Sequence, residues 1–254
     1  MEINYNRLAK AITRAGVILV KNGAEISRVE DTMERLCFAY GAKTVDSYAT
    51  PTILIISFSM EDDSELYHNI KRVSAGSVNL NKIDMVNSLS REIQKNVLSI
   101  EEFNSKLDVI EKDKGYGDVV IYFGALICSF GFGIFFGGGI SECLLASFTG
   151  VLTKAIMVIM ERINLSSFIR NVIGGLILTV LSYVLSMFFV FDRNIVSMSA
   201  IMLLVPGLSI TNAIRDSVNG DALSSLSRMT EALVVAIAIA LGSLIGLMIS
   251  GYII

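Results

Sequence analysis

The chain has 254 residues, 53% of them hydrophobic, and a formal net charge of −3. Of its 45 Lys, Arg, Asp and Glu residues, 33 lie in residues 1–118 and only 12 in residues 119–254. So few charges cannot cover a water-soluble domain of that second length, and an acidic balance without a basic field excludes nucleic acid as a partner.

The polar start Met1-Glu2-Ile3-Asn4 leads us to expect no cleavable leader, and Glu2 stands where myristoylation needs glycine. Residues 5–21 carry Leu8, Ala11, Ile12, Ala15 and Leu19 at helical spacing, and Asn22-Gly23 closes that amphipathic helix. A second helix is predicted over 25–40, with Ile26, Val29, Met33, Leu36, Cys37 and Tyr40 on one stripe. Glu25, Arg28, Glu30, Asp31, Glu34 and Arg35 fill the other side, and Gly41 follows as the C′ residue. Residues 44–59 read as two strands flanking Ala49-Thr50-Pro51, and a third strand is expected at about 66–73, after the acidic turn Glu61-Asp62-Asp63. Residues 79–96 return to helix with Leu80, Ile83, Val86, Leu89 and Ile93 inward. Ser99 with Glu102 forms a capping box for a last helix to about 111. Residues 1–118 thus read as a cytoplasmic α+β domain.

Residues 119–254 read as a polytopic α-helical membrane domain. Uncharged stretches at 119–141, 171–191, 194–214 and 232–254 hold 21 to 23 residues each, enough to cross a bilayer core of about 30 Å. Residues 143–160 are interrupted by Lys154, which either snorkels or faces the bundle interior. Five transmembrane helices are expected. Four with a re-entrant hairpin near Phe136–Glu142 is the competing count. A cytoplasmic N-terminal domain puts Arg162, Arg170, Arg215 and Arg228 inside and Arg193 alone outside, as the positive-inside rule favours. An odd count then places Gly251-Tyr252-Ile253-Ile254 outside a cytoplasmic membrane. Small residues recur every four positions at Ser129, Gly133 and Gly137, at Ser182 and Ser186, and at Gly242 and Gly246, which lets helices approach closely.

No enzyme is expected. His68 stands without a nearby nucleophile, no phosphate-binding glycine loop is present, and Gly207-Leu208-Ser209-Ile210-Thr211 lacks the last glycine of a hydrolase elbow. Cys37, Cys128 and Cys143 are too scattered for a disulfide framework or a metal site and read as small hydrophobes. No cofactor motif occurs.

The most informative stretch is 204–221. Pro206 and Gly207 fall inside the fourth expected span, either as a simple kink or as a break exposing helix ends to a polar solute. Beyond them Asn212, Arg215, Asp216 and Asn219 share one helical face, and Gly220-Asp221 ends it. Arg215 suits a carboxylate and Asp216 an ammonium group, or the two serve as a salt bridge between helices. Glu142 and Lys154 are the other intramembrane candidates. Glu142 is either a proton-coupling carboxyl or a residue of an outer loop.

At this point the chain resembles the N-terminal module of the threonine/serine exporter family. The resemblance rests on Asn22-Gly23-Ala24-Glu25, Arg28-Val29-Glu30-Asp31-Thr32-Met33, Thr50-Pro51-Thr52 and Arg72-Val73. It continues through Asn79-Leu80, Pro206-Gly207, Thr211-Asn212-Ala213-Ile214-Arg215-Asp216 and Asn219-Gly220-Asp221. It implies export of threonine and serine coupled to the proton gradient, with half-length relatives that pair with a small polytopic membrane protein and export dicarboxylates such as succinate. It also implies that Glu25, Arg28, Glu30, Asp31, Thr50, Pro51 and Thr52 form a cytoplasmic motif, which gates the inner mouth or holds the domain against the bundle. Asn212, Arg215, Asp216, Asn219 and Asp221 are the stronger transport-path candidates, with Pro206 and Gly207 as path or gating candidates beside them. Full-length members carry a second membrane module, so a separately encoded partner is expected. A membrane-bound sensor or scaffold is the non-transport alternative.

Overall fold

The computed structural model describes residues 4–60, 65–74 and 76–252. The expected acidic turn Glu61-Asp62-Asp63, and Ile253-Ile254, lie outside the described residues. The chain divides into two compact units: Met1–Gly115 with Leu208–Met229, and Tyr116–Gly207 with Thr230–Ile254.

In the first unit α1 (Tyr5–Lys21) starts where the Asn4 side chain accepts from the backbone N–H of Arg7. It is followed by α2 (Ile26–Ala39), then by β1 (Thr44–Ala49), β2 (Ile53–Ser59) and β3 (Tyr67–Arg72). The strands form one antiparallel sheet in the order β1-β2-β3, with Ile56 of β2 opposite Ser47 and Asn69. Leu54, Ile56 and Phe58 alternate along β2 and are fully buried, as a strand with one covered face requires. Their partners in the core are Leu8, Ile12 and Leu19 of α1 and Ile26, Val29, Met33 and Leu36 of α2. Each such side chain contributes about 1.5–3 kcal/mol on leaving water. Two further helices, α3 (Leu80–Lys95) and α4 (Ile100–Lys112), complete this layer through Ile93, Phe103 and Leu107. Both halves of the Ser99–Glu102 capping box are formed.

Leu80 departs from the expected inward set. It is 60% exposed in the first turn of α3, while Val86, Leu89 and Ile93 are buried. Cys37 is fully buried, and burial pushes its thiol up to about 12, so it packs as a neutral hydrophobe. His68 is exposed on β3.

The second unit is built on α5 (Asp118–Phe135), α6 (Ile140–Arg162), α7 (Ser167–Leu185) and α8 (Arg193–Ile201). After α9 (Gly207–Val218), α10 (Ala222–Tyr252) supplies its last element. Among the described residues four helices are long and apolar enough to cross a bilayer: Asp118–Phe135, Ile140–Arg162, Ser167–Leu185 and Ala222–Gly251. At most 39% of any of these windows is buried, as expected of helices whose outer faces meet lipid. Lys154 does not interrupt α6, which runs unbroken for 23 residues.

The fourth expected span, 194–214, is two helices. α8 stops at Ile201 and α9 begins at Gly207, after a turn through 202–206. Pro206 has no N–H to continue the ladder, so the chain there closes short bonds from Leu204 N to the Ile201 carbonyl and from Gly207 N to that of Val205.

The glycine stripe of α10 makes a close helix crossing. A Cβ on Gly242 would overlap the Val172 carbonyl oxygen of α7, and one on Gly246 would press on Thr179. Gly137 serves differently: it is a turn residue at φ 79° with open space where a side chain would go.

Candidate functional site

Two sequence blocks some 190 residues apart meet in the first unit. One is the turn into α2, Gly23 to Ser27; the other is the polar face of α9. Gly23 adopts φ 88°, a conformation that suits glycine, and this turns its carbonyl outward to accept from Asn212 Nδ2 at 3.0 Å. Glu25 is the N-cap of α2 but does not cap with its own side chain. The first backbone N–H groups of a helix have no partner within the helix. Here Asp216 supplies one: its Oδ1 accepts from Ile26 N–H at 3.4 Å, placing a carboxylate at the positive end of α2.

Asp216 is fully buried. Its Oδ2 lies 3.0 Å from Arg228 Nε, in an ionic contact whose N–H is not aligned as a hydrogen bond. Arg228 also donates to the Ala24 carbonyl at 2.6 Å, so the guanidinium spans both halves of the junction. Burial holds the Asp216 carboxyl above its ordinary range; Arg228 and the Ile26 N–H oppose that rise, and Asp221 and Glu25 add to it.

An outer layer covers this buried pair. Glu25 Oε1 accepts from Asn219 Nδ2 at 3.2 Å, and Asn219 also reaches Ser27 Oγ at 3.1 Å. Arg215 lies 3.5 Å from Glu25 Oε2, and Arg28 lies 3.7 Å from the same oxygen. Arg215 is more than half exposed whereas Glu25 is 14% exposed, so the carboxylate is fixed and the guanidinium is open to exchange.

The other motif residues sit around this clasp. Glu30 Oε1 accepts from Ala49 N–H at 2.7 Å, joining α2 to the β1–β2 hairpin. Burial raises its carboxyl above the ordinary value; the Ala49 bond opposes this, while Asp221, Glu34 and Asp216 add to it. In the hairpin Thr50 N–H donates to the Ile53 carbonyl and Thr50 Oγ1 accepts from Ile53 N–H, around Pro51 and Thr52. Thr50-Pro51-Thr52 is therefore a rigid turn. Arg28 and Asp31 line a polar cleft of about 490 Å³ between α2 and α3, where Asp31 pairs with Arg35 at 2.7 Å. Asp221 follows α9 and Gly220; its N–H donates to the Asp216 carbonyl at 2.8 Å.

Glu142 and Lys154 belong to the second unit. Glu142 Oε1 accepts from Asp192 N–H at 3.3 Å, at the entry to α8. Lys154 is half-buried in α6. Arg228 is the site residue that sequence reasoning missed, because it was counted only as a topogenic charge. A lone arginine between Asp221 and a long uncharged run was the available signal. Among the described residues no three His, Cys, Asp or Glu side chains group as a metal site.

Comparison with known proteins places these residues in a family. The family described as "Putative threonine/serine exporter" matches residues 10–250. A "Probable threonine/serine exporter" of Mycobacterium tuberculosis is 21% identical over 247 residues, covering 97% of this chain and 47% of the relative. A "Threonine/serine exporter" of Corynebacterium glutamicum is 25% identical over 244 residues, covering 93% of this chain and 50% of the relative. The chain spans about half the length of these curated relatives. No solved structure matches it. The family and the four apolar helices together make this a multi-pass membrane protein of a transporter family rather than an enzyme family. With the match running through nearly its whole length, the chain belongs to the threonine/serine exporter family.

Proposed function

We propose that this chain is one membrane module of a proton-coupled exporter of threonine and serine. It works with a second membrane module supplied by a separate small polytopic protein. The carrying observation is the clasp, in which Asn212, Arg215, Asp216 and Asn219 all engage residues 23–27. α9 starts directly after the turn at 202–206, so holding or releasing its polar face controls the segment next to a helix break. Discontinuous helices of this kind present backbone ends to solutes in many transporters. The relatives' names support the solutes, and their double length supports a second module.

In this reading the membrane is the cytoplasmic one, and the first 118 residues form the cytoplasmic domain. The segment 194–214 crosses as a broken fourth span, and the C-terminal end of α10 faces outward. The distribution of arginines supports that orientation. Arg215 is the residue best suited to exchange partners, since a solute carboxylate can replace Glu25 at its exposed guanidinium.

The test is flux of radiolabelled threonine, serine and succinate from proteoliposomes. The chain is assayed alone and with the partner module, with and without a proton gradient. Gradient-dependent efflux of the two amino acids in the paired sample supports the reading. Efflux of succinate alone replaces the substrate, and no flux from folded, inserted protein turns attention to a sensor or scaffold.

A further inference from the structure

The second unit contains an open cavity of about 570 Å³ that none of the motifs above reaches, lined by α7, the exposed entry to α8 and Leu247 of α10. Its polar groups are sorted by chemistry. Thr179 and Ser182 of α7 are both more than nine-tenths buried, and their hydroxyl protons are committed to the carbonyls of Gly175 and Leu178, each at 2.9 Å. The oxygens they turn to the cavity are therefore acceptors only. Asp192 uses Oδ1 to cap α8 through Asn194 N–H at 2.8 Å, which leaves Oδ2 as a further acceptor. The negative end of α7 lies on the same side, since that helix ends three residues after Ser182.

The donor is Arg193. Its guanidinium carbon lies 4.9 Å from the centre of the Tyr183 ring, and it makes no ion pair among the described residues. A guanidinium held on an aromatic ring without an ion-pair partner keeps N–H groups available for a carboxylate. Asn194 and Ser197 add groups that both donate and accept.

We propose that this cavity binds a small zwitterionic α-amino acid. The ammonium group sits against Thr179, Ser182 and Asp192, the carboxylate against Arg193, and a side-chain hydroxyl within reach of Asn194 or Ser197. The inference rests on the exporter reading for its choice of solute but names a site which that reading does not. A dicarboxylate is disfavoured, because a second carboxylate in the place of the ammonium would face the acceptor oxygens of Thr179, Ser182 and Asp192.

The test is equilibrium binding of radiolabelled L-threonine to the purified full-length chain in lipid nanodiscs. Saturable binding should be displaced by L-serine, and not by succinate, acetate or ethanolamine, since the last two carry one charged group each. Arg193→Gln should weaken binding at least tenfold and Arg193→Lys less. Thr179→Val, which keeps the shape packed against Gly246, should weaken it severalfold with the melting temperature unchanged. Unaltered threonine affinity in folded Arg193→Gln and Thr179→Val overturns this site and leaves the exporter reading standing. Wild-type protein that binds neither amino acid overturns the site as well, and the liposome flux assay then decides whether the exporter reading falls with it.

Discussion

Arg228 Nε lies 3.0 Å from Asp216 Oδ2, and both side chains are more than nine-tenths buried. Removing one member of a buried ion pair strands the other charge, at a cost of about 3–5 kcal/mol. Asp216→Ala should therefore destabilise the protein by about that amount. Asp216→Ala combined with Arg228→Leu should cost clearly less than the sum of the two single changes. Thermal melts of the four proteins in one detergent form the cycle, and additive losses would show that the pair is not coupled.

Gly23 holds φ 88° so that its carbonyl meets Asn212, and Val78 lies 3.2 Å from where a Cβ would be. Gly23→Val should cost about 1–2 kcal/mol through backbone strain. It should also raise hydrogen exchange in α9, because the Asn212 bond is lost. Unchanged exchange would mean that this bond does not hold the helix.

Glu30 carries a pH signature. Its folded-state pKa is raised by burial, so the native state binds a proton more readily than the unfolded chain. Its contribution to stability therefore grows as pH falls through the folded pKa, is complete below the unfolded value, and is lost as pH rises. Glu30→Gln keeps an acceptor for the Ala49 N–H and removes the titration. Melting temperature against pH should be flatter for the variant over that window.

Gly242→Leu should disrupt the second unit, because even its Cβ would overlap the Val172 carbonyl. The cost should be at least the 1–3 kcal/mol typical of overpacking. Proteolytic sensitivity and melting in detergent would report it. Gly137→Asn, at an open turn with positive φ, should be nearly silent in the same assays.

Much of the fold is local and was legible without coordinates. The 3.6-residue spacing of Leu8, Ile12, Ala15 and Leu19, the strand pattern along Ile53–Ser59 and the Ser99–Glu102 capping box are set by neighbours in the chain. Leu80 shows where such reasoning fails. It continues the apolar period of its helix, yet burial also needs a second element to cover it, and none does so among the described residues. The site was half legible. Asn212, Arg215, Asp216 and Asn219 were seen as one face because i, i+3 and i+4 residues share a face on any helix.

What that face meets is a different kind of information. Helical period, charge-free length and capping are short-range properties, so sequence alone determined the elements of residues 5–112, the membrane character and the two polar blocks, though not the break of 194–214 into two helices. Only the tertiary structure decided that residues 208–229 join the first unit, that Asp216 caps α2, and that Arg228 neutralises it. Contacts across some 190 residues depend on how whole elements pack, and no local spacing encodes the partner of a buried charge.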